Sequence, residues 1–158
     1  MSKFKYTDEK EQEFNKIAAK YPKIDAMMLP ALWLVQEQEG WVSPDAMVYV
    51  ADRLGKAPIE VYEFATFYTM FNLKPIGTYH IELCKTLSCM IMGAPELKKF
   101  IKETIGIEPG QTSEDGKFHL SEVECQGACG GAPMIALNHT YHENLTVDKL
   151  KNILEGCK

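Results

Sequence analysis

Residues 7–70 carry apolar positions at helical spacing. Phe14, Ile17, Ala18 and Tyr21 fall at i, i+3, i+4 and i+7, with Thr7 placed to cap the run and Pro22 to end it. A second stripe, Ile24, Met27, Met28, Ala31 and Val35, runs from near Asp25 to Gly40. Pro30 lies inside it, so its first turn should be irregular or the helix should begin later. Ser43-Pro44-Asp45 predicts a helix start: a capping hydroxyl, proline at the first helical position, then an acid near the positive end of the dipole. Met47, Val50, Ala51 and Leu54 give that helix its apolar face, and Gly55 stops it. Pro58 opens a fourth helix through Val61, Phe64 and Ala65 to about Tyr68. Each stripe is one-sided, so the four helices must pack on one another or on a neighbour, with Met27, Met28 and Met47 as core filler.

Near 72–77 (Asn-Leu-Lys-Pro-Ile-Gly) the period changes from helical to alternating, which predicts two domains, residues 1–73 and 74–158. Thr78 to Leu83 alternates, with Tyr79, Ile81 and Leu83 on one face and His80 turned outward. Leu97, Phe100, Ile101 and Ile105 mark a helix closed by Gly106. After an Asp115-Gly116 turn, a strand from Lys117 to Glu124 slips phase between Leu120 and Val123, where a bulge is expected. Met134 to Leu137 and Tyr141-His142 form a hairpin through Asn138-His139, and Thr146 caps a last helix bearing Val147, Leu150, Ile153 and Leu154. The order strand, helix, three strands, helix fits a small sheet with one parallel crossover, which is also the skeleton of a thioredoxin-like fold. The pattern therefore reads as a helical half followed by a half of mixed strands and helices.

Composition narrows the chemistry. With 46% hydrophobic and 25% charged residues the chain reads as globular, and it holds no apolar run of the length that spans a bilayer. It lacks the apolar leader of a secretory signal, which leads us to expect a cytoplasmic protein without direct membrane insertion. The net charge is −5 and acids outnumber bases in both halves, which argues against nucleic acid as a partner. Residues 43–68, two helices around a glycine, could pass for the helix-turn-helix of an iron–sulfur DNA-binding sensor, but Arg53 is the only arginine.

Five cysteines in such a chain are unlikely disulfides. Cys84 follows the first strand, Cys89 falls on the loop before the next helix, and Cys125 and Cys129 follow the second strand. The spacing is C-x4-C, 35 residues, C-x3-C. If the two strands are neighbours, four sulfurs converge from two loops. A 2Fe–2S cluster has two irons with cysteine thiolate as the usual donor, giving Cys84 and Cys89 to one iron and Cys125 and Cys129 to the other. Gly127, Gly130 and Gly131 would let backbone N–H groups approach sulfur. A closed zinc site, as in a zinc-stabilised scaffold, competes, although zinc knuckles favour C-x2-C; so does a redox dithiol, which favours C-x-x-C. Cys157 has no partner and reads as a free thiol. The four histidines read as surface or rim residues, and Glu122 and Glu124, near Cys125, would lower a cluster's potential if ionised. No acid/base pair, nucleophile or glycine-rich nucleotide loop stands out, so no catalytic residue is assigned.

Four stretches resemble one family. They are residues 41–44 (Trp-Val-Ser-Pro), the aromatic segment 61–71 from Val61 to Phe71, Cys84-Lys85-Thr86-Leu87-Ser88-Cys89, and 125–134 from Cys125 to Met134. In this order they are similar to the small E-type component of respiratory NADH:quinone oxidoreductase (complex I). They are also similar to the small subunits of NAD-linked, including bifurcating, hydrogenases and of formate dehydrogenases. The resemblance implies an electron-transfer subunit, with no substrate site of its own, in an NADH-dehydrogenase module. It implies an α+β fold class, an N-terminal helical bundle followed by a thioredoxin-like α/β ferredoxin domain, with one 2Fe–2S cluster on Cys84, Cys89, Cys125 and Cys129. It further implies a larger partner subunit that binds FMN and NADH, further iron–sulfur subunits, and a place on the cytoplasmic side of the inner membrane through the complex. The aromatic run Phe64, Phe67, Tyr68 and Phe71 exceeds what a four-helix core needs, and part of it is expected to dock on the flavin-bearing partner.

Overall fold

The computed structural model describes residues 3–157, which form two compact units meeting in sequence at Pro75 and Ile76. The first is all-helical. Helix α1 (Asp8–Ala18) starts on Thr7, whose hydroxyl accepts from the Lys10 N–H. A 3-10 turn (Ile24–Met27) leads into α2 (Met28–Glu39), so Pro30 falls in the first helical turn, where no N–H is needed. Helix α3 (Pro44–Leu54) starts on Ser43, capped through the Ala46 N–H, and ends at Gly55 in the left-handed region. In α4 (Pro58–Phe67) the Glu60 carboxylate accepts from the Ala57 N–H at 2.8 Å.

These helices are not equally one-sided. Met28, Ala31, Leu32, Leu34, Val35 and Gln36 of α2 are all buried, so α2 is the central element rather than a surface helix. Gln36 can be buried because its amide is satisfied: it donates to the Met70 carbonyl at 2.8 Å and accepts from the Asn72 N–H at 2.6 Å. Those two bonds tie the chain leaving α4 to the bundle core. Met27, Met28 and Met47 are core filler as expected. Arg53 is engaged with Glu11 at 2.6 Å and lies over the Phe14 ring, so the chain's one arginine is held inside its own unit.

The second unit is a mixed five-stranded sheet in the order β2-β3-β1-β4-β5. Strand β1 (Tyr79–Cys84) is followed by α5 (Leu87–Met92) and α6 (Ala94–Ile105), then β2 (Gln111–Thr112) and β3 (Phe118–Val123). Strands β4 (Ile135–Leu137) and β5 (Thr140–His142) precede α7 (Val147–Gly156). β1 and β3 are parallel, in unbroken register from Tyr79 opposite Phe118 to Cys84 opposite Val123. Gly77 permits their close entry: a Cβ there would sit 2.8 Å from the backbone of Lys117 and Phe118. Ile81, Leu83 and Leu120 meet Leu97 and Ile101 of α6 and Leu150 and Leu154 of α7 in one core. Each such side chain stabilises the fold by about 1.5–3 kcal/mol relative to exposure.

Two expectations are corrected, the bulge and the place of His80. The bulge in β3 is absent: the register is continuous, and the lost alternation arises because Ser121, Glu122 and Val123 are all half-buried at the end of the sheet. Strand β2, two exposed residues on the sheet edge, had no apolar pattern to betray it. Cys157 is a free thiol, as expected, and lies in the core, its Sγ 3.4 Å from the Ile153 carbonyl. His80 is not a rim residue, being only 8% exposed. Its strand is central, and neighbours cover its second face. His80 Nε2 lies 2.8 Å from Ser121 Oγ, its ring meets His119 edge-on at 5.3 Å, and its N–H donates to the Asn138 side chain at 2.8 Å.

Burial, reinforced by His119 and His139, pushes the His80 imidazole down to about 4. A histidine kept neutral in the fold but protonated near pH 6.5 when unfolded contributes stability that is complete above about pH 6.5. That stability is lost as pH falls toward 4. The loss should reach about 3 kcal/mol at the acid end. Urea unfolding of wild type and His80→Gln between pH 4 and 7 checks this: the wild-type curve should fall more steeply with acid, and parallel curves would refute it.

Candidate metal centre

Parallel pairing makes the site. Because β1 and β3 run the same way, their C-terminal ends share one edge of the sheet, and the bond from the Lys85 N–H to the Val123 carbonyl (3.0 Å) carries the pairing one step further. Cys84 is the last residue of β1 and Cys125 stands two residues beyond β3. Cys129 opens a 3-10 turn (Cys129–Gly131). Cys89, expected on a loop, sits within α5.

The thiols come as two unlike pairs. Cys84 and Cys89 are buried and hydrogen-bonded to each other, whereas Cys125 and Cys129 are exposed. Cys129 is near enough to act electrostatically on Cys89, so three of the four thiols interact. Among the described residues, no three His, Cys, Asp or Glu side chains gather around one point as a single ion would need. Two cysteine pairs are a donor set that would suit a dinuclear group with thiolate on each iron.

Burial pushes the Cys84 thiol up. Hydrogen bonds with the Thr86 hydroxyl and N–H, with Cys89 and with the Gln126 N–H outweigh it and leave the group below the ordinary thiol value. Burial and the hydrogen bond to Cys84 raise Cys89. Cys125 has its own donor: Gly127, at φ +75, turns its N–H to the sulfur at 3.4 Å, a conformation open to glycine. The glycine loop is anchored where the Tyr141 hydroxyl donates to the Gln126 carbonyl at 2.9 Å. Glu122 and Glu124 are ion-paired, with Lys98 at 2.9 Å and Lys85 at 3.0 Å, so their charge at the site is partly offset. Around Cys89, α5 exposes Leu87, Met90, Ile91 and Met92, an apolar surface that the sequence does not announce because the segment reads as a loop.

A mixed five-stranded sheet with two cysteine pairs at one edge places the molecule among small thiol-bearing α+β proteins. The chain belongs to the thioredoxin-like 2Fe–2S ferredoxin family, whose pattern matches residues 14–158. It is 44% identical to the E component of NADH-quinone oxidoreductase from Rickettsia conorii, across 88% of this chain and 85% of that one. It is also 44% identical to NADH dehydrogenase (ubiquinone) flavoprotein 2, mitochondrial, of Dictyostelium discoideum, across 98% of this chain and 64% of that one. In fold it is similar to a NAD+-reducing NiFe-hydrogenase in the air-oxidised state, with TM-score 0.72 at 21% identity. That match covers 82% of this chain and 22% of the hydrogenase chain.

Burial should order the thiols by reactivity in the folded, metal-free protein. Cys125 and Cys129 should alkylate at least about tenfold faster than Cys84, Cys89 and Cys157, since access limits attack at the buried sulfurs. Timed iodoacetamide labelling read by peptide mass spectrometry tests the order, and equal labelling of Cys157 and Cys125 would contradict it.

Proposed function

We propose that this chain is the electron-carrying subunit of an NADH-dehydrogenase module of complex I type, holding one 2Fe–2S cluster on Cys84, Cys89, Cys125 and Cys129. The observation that carries the reading is the parallel register of β1 and β3, which ends with Cys84 opposite Val123, two residues before Cys125. When bound, such a cluster supplies one-electron chemistry. Cys84 and Cys89, on a strand end and a short helix in the core, and Cys125 and Cys129, on the glycine loop, are the residues that would hold it. Membership in the 2Fe–2S family and the names of the relatives support the assignment. Complex I is preferred over the hydrogenase or formate dehydrogenase equivalents because the 44%-identical relatives bear NADH-quinone oxidoreductase and NADH dehydrogenase names, whereas the hydrogenase likeness concerns fold.

Electrons are exchanged, in this reading, with FMN on a partner subunit that also binds NADH. None of the described helices is long and apolar enough to cross a membrane, and a place on the cytoplasmic face through the complex accords with that. The aromatic segment divides into two roles. Phe71 is core and Tyr68 packs against it, while Phe67 is 77% exposed and Phe64, Tyr62 and Ile59 also face outward. A helix apolar on so much of its surface, in a chain whose relatives are subunits, serves to dock the flavin-bearing partner.

Anaerobically purified protein should carry two irons and two acid-labile sulfides per chain and give one 2Fe–2S electron paramagnetic resonance signal only on reduction. Serine at any of the four cysteines should remove or distort that signal, since hydroxyl oxygen replaces thiolate poorly on these irons, and Cys157→Ser should leave iron content unchanged. Stoichiometric zinc without visible absorbance would defeat the assignment. Separately, Phe67→Glu should retain the cluster yet weaken capture of the flavin-bearing subunit by about tenfold or more, as loss of an interface anchor does; unchanged capture in a pull-down would reject α4 as the docking helix.

A further inference from the structure

Among the described residues, four helices begin on a hydroxyl residue: Thr7, Ser43, Thr86 and Thr146. Three of them do what such residues do at that position. Thr7 accepts from the Lys10 N–H, Ser43 from Ala46 and Thr146 from Lys149. Thr86 stands in the same extended conformation, φ −85 and ψ 171, yet its side chain makes no capping bond to α5. Leaving such a cap unmade forgoes about 1 kcal/mol. The hydroxyl is spent elsewhere: Thr86 Oγ1 lies 3.2 Å from Cys84 Sγ.

We propose that Thr86 sets the reduction potential of the cluster by donating its hydroxyl to the Cys84 sulfur. This rests on the reading of Cys84 as an iron ligand. A sulfur bound to iron carries no proton, so in the pair Thr86–Cys84 only the hydroxyl can donate. Reduction adds negative charge to the irons and their sulfur ligands. A hydrogen bond to that sulfur therefore strengthens on reduction and favours the reduced form. Cys84 is 3% exposed, so water competes little for the contact and the bond counts for more than it would at the surface. Cys84 Sγ also lies 3.4 Å from the Glu124 carbonyl, which can only accept, and the donor to Cys125 is the main-chain N–H of Gly127, which substitution does not remove. Thr86 is the side chain through which the protein adjusts this site, a positioning and tuning residue rather than a ligand.

The test compares the full-length wild type, Thr86→Val and Thr86→Ser, each loaded anaerobically with iron and sulfide and titrated with dithionite while the paramagnetic signal is followed. Valine keeps the shape of threonine and loses the hydroxyl; serine keeps the hydroxyl. Thr86→Val should retain two irons but show a reduction equilibrium constant about tenfold smaller, a shift of about 59 mV to more negative potential for one electron. Thr86→Ser should return to the wild-type value. A Thr86→Val protein with full iron and an unchanged potential overturns the inference while leaving the four-cysteine site standing. So does a Thr86→Ser protein that shifts as far as Thr86→Val, because the hydroxyl is then not the cause. Should Thr86→Val fail to hold iron, Thr86→Ala decides on the same scale. A wild type that binds no iron would instead refute the cluster assignment itself.

Discussion

The parallel pairing of β1 with β3 is the constraint on which the second unit depends. An antiparallel pair would send the two strands' C-termini to opposite edges and separate Cys84 from Cys125 by the length of the sheet. Parallel pairing brings them together but requires a crossover, and α5 and α6 supply it. The crossover serves twice, since α6 lays Leu97 and Ile101 over the sheet and α5 carries Cys89 back to the edge where Cys84 ends. One hydrogen-bonding choice thus links the core, the connection and the site.

What the site takes from local order is visible in α5. Six residues are too few for a helix to stabilise itself, and nucleation is costly without tertiary support. Its cap is diverted to sulfur and its apolar side chains Leu87, Met90, Ile91 and Met92 stay in solvent. Cys89 is the buried residue of the segment and its anchor in the core. Departures from local rules gather where function constrains the chain, and here they gather within one short segment.

Most of the fold was legible because its signals are local and agree. Ser43-Pro44, Thr7 and Thr146 each combine a cap with an apolar stripe, and each starts a helix where expected. The cysteine spacing and the strand ends together point the four thiols to one edge. Features that depend on non-local cover were not legible. The alternation in β1 points His80 away from the helices, and only the arrival of His119, Ser121 and Asn138 from other strands and turns buries it. Gln36 lies in a helix whose stripe looked one-sided, and its burial depends on partners at 70 and 72. Two-residue β2 and six-residue α5 fall below the length at which periodicity carries information.

The inequality of the two cysteine pairs follows from the same geometry. Cys84 and Cys89 are fixed by a strand terminus and a core-anchored helix, so their positions are set by folding alone. Cys125 and Cys129 stand on an exposed loop pinned at Gln126 by Tyr141 and free elsewhere to use glycine conformations. Four rigid thiols would have to match two irons and two sulfides without error, and any misfit would be strain stored at the site. A buried pair with an exposed pair would ease that demand: in a bound cluster the buried half would fix the position and the sulfur that Thr86 reaches, and the exposed half would complete the site. The division also explains why the donors differ in kind. On the buried side a side-chain hydroxyl is aimed at one sulfur, whereas on the loop side the donor to Cys125 is the main-chain N–H of Gly127.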